Sequence, residues 1–184
     1  LRDQLNASAL DLGTLESLRE IPGLLAALLA GFVVSLAESR VAAIGLLITA
    51  DGIGMTGLFD RFISLVAITV FWSVGFHLWA TVQSAITLSL AKGKEGGRHL
   101  GKMSSVGAIA TISALGLSWV VSELVPHPSQ NAWFYPTYFA VSGVLILGSS
   151  IYATQLSPHA DGVKRQRIVF RREYGLYYLL TFLE

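Results

Sequence analysis

Five long apolar runs fill most of this chain, at approximately residues 10–36, 41–58, 62–91, 103–124 and 133–156. A helix rises about 1.5 Å per residue, so some 20 apolar residues cover the roughly 30 Å hydrocarbon core of a bilayer. A water-soluble helical protein of this length would show polar faces recurring at the helical period, and these runs carry none that is continuous. The pattern predicts an all-α, polytopic transmembrane helical bundle. Five spanning helices are expected within residues 1–157, a basic loop at 158–173, and the start of a further helix at 174–184.

Composition agrees with that reading and narrows it. Of 184 residues, 53% are hydrophobic and 14% charged, and the net charge of +1 hides a segregation of charge into the loops. The chain has no cysteine, which excludes disulfides, thiolate metal sites and a cysteine nucleophile. No signal peptide is legible at Leu1–Gln4. The chain opens on Leu1 and closes shortly after an apolar stretch begins at Leu176, as a piece of a longer membrane protein would.

Lys and Arg accumulate in cytoplasmic loops, so their distribution predicts orientation. Arg40 lies in the first loop, Arg61 beside Asp60 in the second, and Lys92, Lys94, Arg98 and Lys102 in the third. The fourth has only His127, and the fifth has Lys164, Arg165, Arg167, Arg171 and Arg172. The first, third and fifth loops are therefore expected inside, and Leu1 outside. The last basic run reads as an orienting, solvated loop, with anionic lipid headgroups as a second use. Nucleic acid is not expected as a partner, because the run abuts membrane spans and lacks interleaved aromatics.

Ionisable residues inside a span are expensive and are usually kept for a purpose. In the first run Glu16, Arg19 and Glu20 are close on a helix surface, and pairing among them would reduce the cost of burying each. Pro22 follows and removes a backbone donor, so a kink is expected. Gly23, Ala27 and Gly31 continue that face with small side chains suited to close helix contact. Asp51 lies about 15 Å of helix rise from Arg40, near mid-membrane, where a carboxylate could load and release a proton. Around it Gly52, Gly54 and Gly57 permit close packing or a bend. In the third run Ser73, His77, Thr81, Ser84 and Thr87 make one polar stripe with Gln83 beside it, expected to face the protein interior or a watery path. His77 could relay protons or hydrogen-bond a solute. The alternative for each group is structural, as polar contacts that cement helices. Ser104, Gly107, Thr111, Ala114 and Ser118 form a small-residue stripe that reads as helix packing. Trp119, Trp133, Tyr135 and Tyr138 fit an interfacial aromatic belt. Metal-ligand clusters, a phosphate loop, a nucleophile elbow and a dinucleotide fingerprint are not legible, so neither an enzyme nor a cofactor is expected.

The segment 86–101, ITLSLAKGKEGGRHLG, resembles the fourth helix, cytoplasmic turn and fifth helix of the major facilitator superfamily. Glu95, Gly97, Arg98, Leu100 and Gly101 match that turn, and the basic segment after the fifth run resembles the family's central cytoplasmic loop. The resemblance covers helices two to six, the central loop and the start of helix seven, an N-terminal half lacking its first helix. Between helices two and three Gly31 can take the first motif position. Ser35 stands where Asp is usual, and Glu38 with Arg40 offers substitute charges at the helix end. The helix-four arginine is replaced by Thr69 or Ser73, and 115–119 lacks the Gly-Pro pair of drug:proton antiporters. The resemblance implies a secondary active transporter in the plasma (inner) membrane that moves a small solute by alternating access, with protons as a candidate drive. The alternative is an integral membrane scaffold or subunit that transports nothing.

Overall fold

A computed structural model describes residues 7–25, 33, 36–91, 95–125 and 131–156. Expectations that concern Gly31, Ser35, Lys92, Lys94, His127, the basic loop 158–173 and the segment 174–184 lie outside the described residues.

The described residues form five α-helices and no strand: α1 (Ala9–Leu24), α2 (Glu38–Thr56), α3 (Phe62–Leu90), α4 (Gly96–Leu124) and α5 (Phe134–Thr154). Each coincides with one of the five apolar runs. By length and composition α3, α4 and α5 can cross a membrane. The described part of α1 has 16 residues, about 24 Å, and includes Asp11, Glu16, Arg19 and Glu20. The 19 residues of α2 include Glu38, Arg40 and Asp51. At its start α1 is fixed by a capping box, in which the Ser8 hydroxyl accepts from the Asp11 N–H and the Asp11 carboxylate accepts from the Ser8 N–H.

Small residues set the packing. Glycine carries no Cβ, so two helix backbones can approach where a larger residue would hold them apart. A Cβ added at Gly75 in α3 would lie 2.5 Å from the Gly45 carbonyl oxygen of α2, and one added at Gly45 would lie 2.7 Å from the Gly75 carbonyl oxygen. Gly52 similarly meets Trp72. On its other side α2 meets α5 at Gly54 and Gly143, and Gly57 abuts the backbone of Tyr135 and Pro136. Hydroxyls bridge both seams. The Ser150 Oγ of α5 donates to the Ala43 carbonyl at 2.7 Å, and the Thr49 Oγ1 lies 3.4 Å from the Trp72 carbonyl while donating to Gly45 at 2.8 Å. Val41, Ala42 and Ala50 of α2 are buried between these neighbours. The helix is thus the centre of the bundle despite carrying three ionisable residues.

The order of these contacts gives helix direction. As residue numbers rise in α2 they fall in α3 and in α5, so α2 is antiparallel to both. The start of α4 touches the end of α3, where the Thr87 Oγ1 and the Met103 Sδ are 2.8 Å apart. Higher up, the Ser118 hydroxyl meets the Tyr138 hydroxyl of α5. Consecutive helices therefore run up and down. No residue of α4 is buried, and Val106, Ile109, Ile112, Leu115, Leu117 and Trp119 are all exposed. The small-residue stripe of α4 is likewise open apart from Ser118. An apolar cavity of about 550 Å³, lined by residues such as Val121, Trp133, Tyr138 and Leu145, separates α4 from α5.

Adding a methyl group at Gly75 is expected to destabilise the purified protein by about 1–3 kcal/mol, as overpacking does. At Gly107, where an added Cβ meets nothing within 4 Å, Ala is expected to be neutral or stabilising by up to about 1 kcal/mol. Thermal unfolding in detergent compares the two, and equal effects would show that α2 and α3 do not approach at Gly75.

Candidate functional site

Two groups that are separate in the sequence meet where α1 lies on α3. Arg19 is the hub. Its Nη2 donates to Glu16 Oε2 and to Glu20 Oε1, both at 2.8 Å, and its Nε donates to Glu20 Oε1 at 3.0 Å. The other oxygen of Glu20 lies 3.8 Å from Nε2 of His77 on α3. The backbone of the same Arg19 accepts a hydrogen bond from the Ser73 hydroxyl. Rising numbers in α1 match rising numbers in α3, with Arg19 at Ser73 and Gly23 at His77, so these two helices are parallel.

Local sequence explains why the helices fit there. A Cβ at Gly23 would stand 2.6 Å from Cε1 of His77, so a larger residue there would make the imidazole shift. Pro22 is buried beside it and cannot donate to the Leu18 carbonyl. His77 packs edge-on against Phe76, with ring centroids 5.3 Å apart. Its side chain is 17% exposed, against 55% for Glu20 and 57% for Glu16, so the cluster has an open acidic side and a closed basic one. Ser73 and His77 stand near the middle of the 29-residue α3.

Charge counting shows what the arrangement can do. Two carboxylates face one guanidinium, so the cluster carries one net negative charge when the imidazole is neutral. One proton on the Glu20–His77 pair cancels it. Arg19 is already engaged by both carboxylates, which leaves it poorly placed to bind an anion.

The remaining polar stripe of α3 continues past the end of α1. Ser73 is buried at 1% exposure, Thr81 and Ser84 are exposed, and Thr87 is half-buried. The stripe was expected to face the protein interior or a watery path: Ser73 faces the interior, its hydroxyl donating to the Arg19 carbonyl, while Thr81 and Ser84 are open. Gln83 is half-buried, about 9 Å of helix rise beyond His77, and its side chain makes no hydrogen bond among the described residues.

Asp51 does not join the cluster. Gly52 abuts Trp72, so Asp51 is level with Ser73, but α2 meets a different side of α3. Asp51 lies on an exposed face of α2 with Ile44, Leu47 and Met55, and has no ion pair or hydrogen bond among the described residues. The glycines around it serve the α3 and α5 contacts instead. Of the turn positions, Glu38 opens α2 and is half-buried while Arg40 is exposed. Arg98 reaches Glu95 at 3.4 Å on the surface. A Cβ at Gly97 or Gly101 would meet nothing within 4 Å, so no close approach requires glycine there.

Sequence reasoning identified Glu16, Arg19, Glu20 and His77 but not their union. Ser73 as the anchor of the Arg19 backbone was also missed. A signal existed: Ser73 and His77 are one turn apart on α3, and Arg19 and Gly23 are one turn apart on α1. Comparison with known protein families, with characterised proteins and with solved structures gives no match for this chain.

If Gly23 is small because His77 fills the space, Gly23→Ala should cost stability in the native background and little in the His77→Ala background. A coupling of roughly 1 kcal/mol is expected from the double-mutant cycle. Strict additivity would place the imidazole elsewhere.

Proposed function

We propose that this chain is part of a secondary active transporter of the major facilitator type. It moves a small solute across the plasma (inner) membrane by alternating access, with the α1–α3 cluster as its proton-handling and solute-contact site. The reading rests above all on one observation. His77, at the middle of a helix apolar enough to cross a membrane, faces Glu20 of α1 and its arginine hub, and an ionisable group at such a position is costly to keep.

Two further features support it. The pair can exist with or without one net charge, so a proton gradient has a group to act on. Exposed Thr81 and Ser84 extend from His77 along the same side of α3, as the wall of an aqueous half-channel would. The alternating helix directions fit the orientation predicted from the basic loops, and in transporters of this type a bundle rocks against its counterpart around a mid-membrane site. Gln83, beside the polar stripe and half-buried, contributes a hydrogen bond to solute from its edge. Asp51, marked for the proton by sequence alone, is assigned no part in the coupling because α3 stands between it and the pair.

Proteoliposomes holding the full-length protein and a trapped pH dye can be challenged with a panel of sugars, carboxylates, amines and peptides. A solute that moves protons is expected to stop doing so in Glu20→Gln and in His77→Gln, and to continue in Asp51→Asn. Loss in Asp51→Asn with retention in Glu20→Gln would reverse the assignment.

Accessibility separates transport from scaffolding. In this cysteine-free chain, single cysteines at Thr81 and Ser84 should react with a membrane-impermeant maleimide in native membranes, while one at Ser73 stays inert. Three inert positions would favour the scaffold, whose polar residues only hold helices together.

A further inference from the structure

Four residues close a ring across the α1–α3 seam. The Ser73 hydroxyl holds the Arg19 backbone, the Arg19 side chain holds Glu20, Glu20 faces His77, and His77 is one turn along α3 from Ser73. We infer that Ser73 is the positioning residue of this site: its hydroxyl sets the register of α1 on α3 and so decides whether Glu20 can reach His77. The inference rests on the functional reading above for its purpose, but its geometry can be tested without any transport.

Among the described residues little else holds α1: within Ala9–Leu24 only Leu15 and Pro22 are buried, with Ala7 just ahead of it. Apolar contacts of this kind resist separation but resist sliding weakly, because one apolar contact replaces another. A hydrogen bond has a fixed length and direction, so it selects one register. Ser73 makes it from a site with 1% exposure, where an unpaired hydroxyl would be costly. The bond falls on the carbonyl of Arg19 itself, so backbone anchor and charged hub are the same residue. A shift of one residue would carry Glu20 about 1.5 Å along the axis and about 100° around it, out of reach of His77.

Gly23 completes the device. It admits the imidazole next to Pro22, where the helix lacks one backbone donor and bends most easily. The hydroxyl lies on one side of this weak point and the imidazole on the other. Ser73 therefore does not touch solute or proton. It acts through Arg19.

The absence of cysteine makes the test clean. The full chain carrying Glu20→Cys and His77→Cys has only those two thiols, and a short bis-thiol reagent can join them in native membranes. Adding Ser73→Ala is expected to lower the cross-linking rate about threefold or more, the equilibrium change that loss of one interhelical hydrogen bond in a membrane brings. A second pair, Thr87→Cys with Met103→Cys at the α3–α4 contact, should be unaffected by Ser73→Ala and reports on general unfolding. An unchanged rate at the first pair, or equal losses at both, overturns the inference. In the dye assay Ser73→Ala should flatten the pH profile of solute-driven proton movement, with protein level unchanged. A silent dye assay beside a selective cross-linking loss would remove the transport reading and keep the positioning role.

Discussion

The contact between the backbones of α2 and α3 at Gly45 and Gly75 fixes where the other side of α3 points. With α2 drawn so close on one side, and bridged by Thr49, α3 cannot rotate without driving Leu78 or Trp79 into the α2 backbone. Ser73 and His77 are thereby held toward α1. The site described above thus depends on an interface that contains none of its residues. In lipid this is the expected economy, because apolar side chains gain little by leaving acyl chains for one another. Close backbone approach, dispersion and interhelical hydroxyls have to supply the specificity. The seams of α2 consist of little else.

The same reasoning separates the two acidic positions. Glu20 has an arginine, an imidazole partner and a neighbouring helix that seats it. Asp51 has a face of Ile44, Leu47 and Met55 and no partner among the described residues. Counting from the helix ends put Asp51 near mid-membrane and Glu20 in the outer half of its run, so depth alone favoured Asp51. The azimuth around the helix distinguishes them, and it is set by which side the glycines occupy. Gly45, Gly52 and Gly75 mark the packed side of α2 and α3, and Asp51 projects away from it.

This explains what could be read from the residues and what could not. The five helices were legible because apolar run length survives any detail of packing. The runs 62–91 and 133–156 end within two residues of the helices they predict, whereas α4 starts seven residues earlier than its run, in the polar stretch Gly96–Lys102. Polar residues can continue a helix beyond the apolar boundary, so hydropathy marks the span and not the helix. The triplet Glu16–Arg19–Glu20 was legible because it is local, with pairs at three residues and one. Its union with His77 bridges 57 positions of sequence and depends on α1 lying parallel to α3. In an up-and-down chain α1, α3 and α5 all run the same way, so topology admitted the pairing without choosing it. Gly23, small and placed after Pro22, was readable as a contact, but the imidazole that fills the space was not. The stripe through Ser73 left interior and watery path as alternatives, because periodicity identifies a face without saying what covers each position.

A charge at the centre of a spanning helix costs about 2.5–3.5 kcal/mol on insertion scales, and of the four ionisable groups here His77 alone stands on a helix apolar enough to cross a membrane. The ring through Ser73, Arg19, Glu20 and His77 lowers that cost by pairing and leaves at most one uncompensated charge. Pairing alone would be satisfied by equal numbers of acids and bases. This cluster instead has two carboxylates, one fixed cation and one imidazole that is a cation only when protonated. With the imidazole neutral the cluster keeps one net negative charge, and the exposed Glu16 and Glu20 carry it on the open side of the α1–α3 contact while the closed side holds His77.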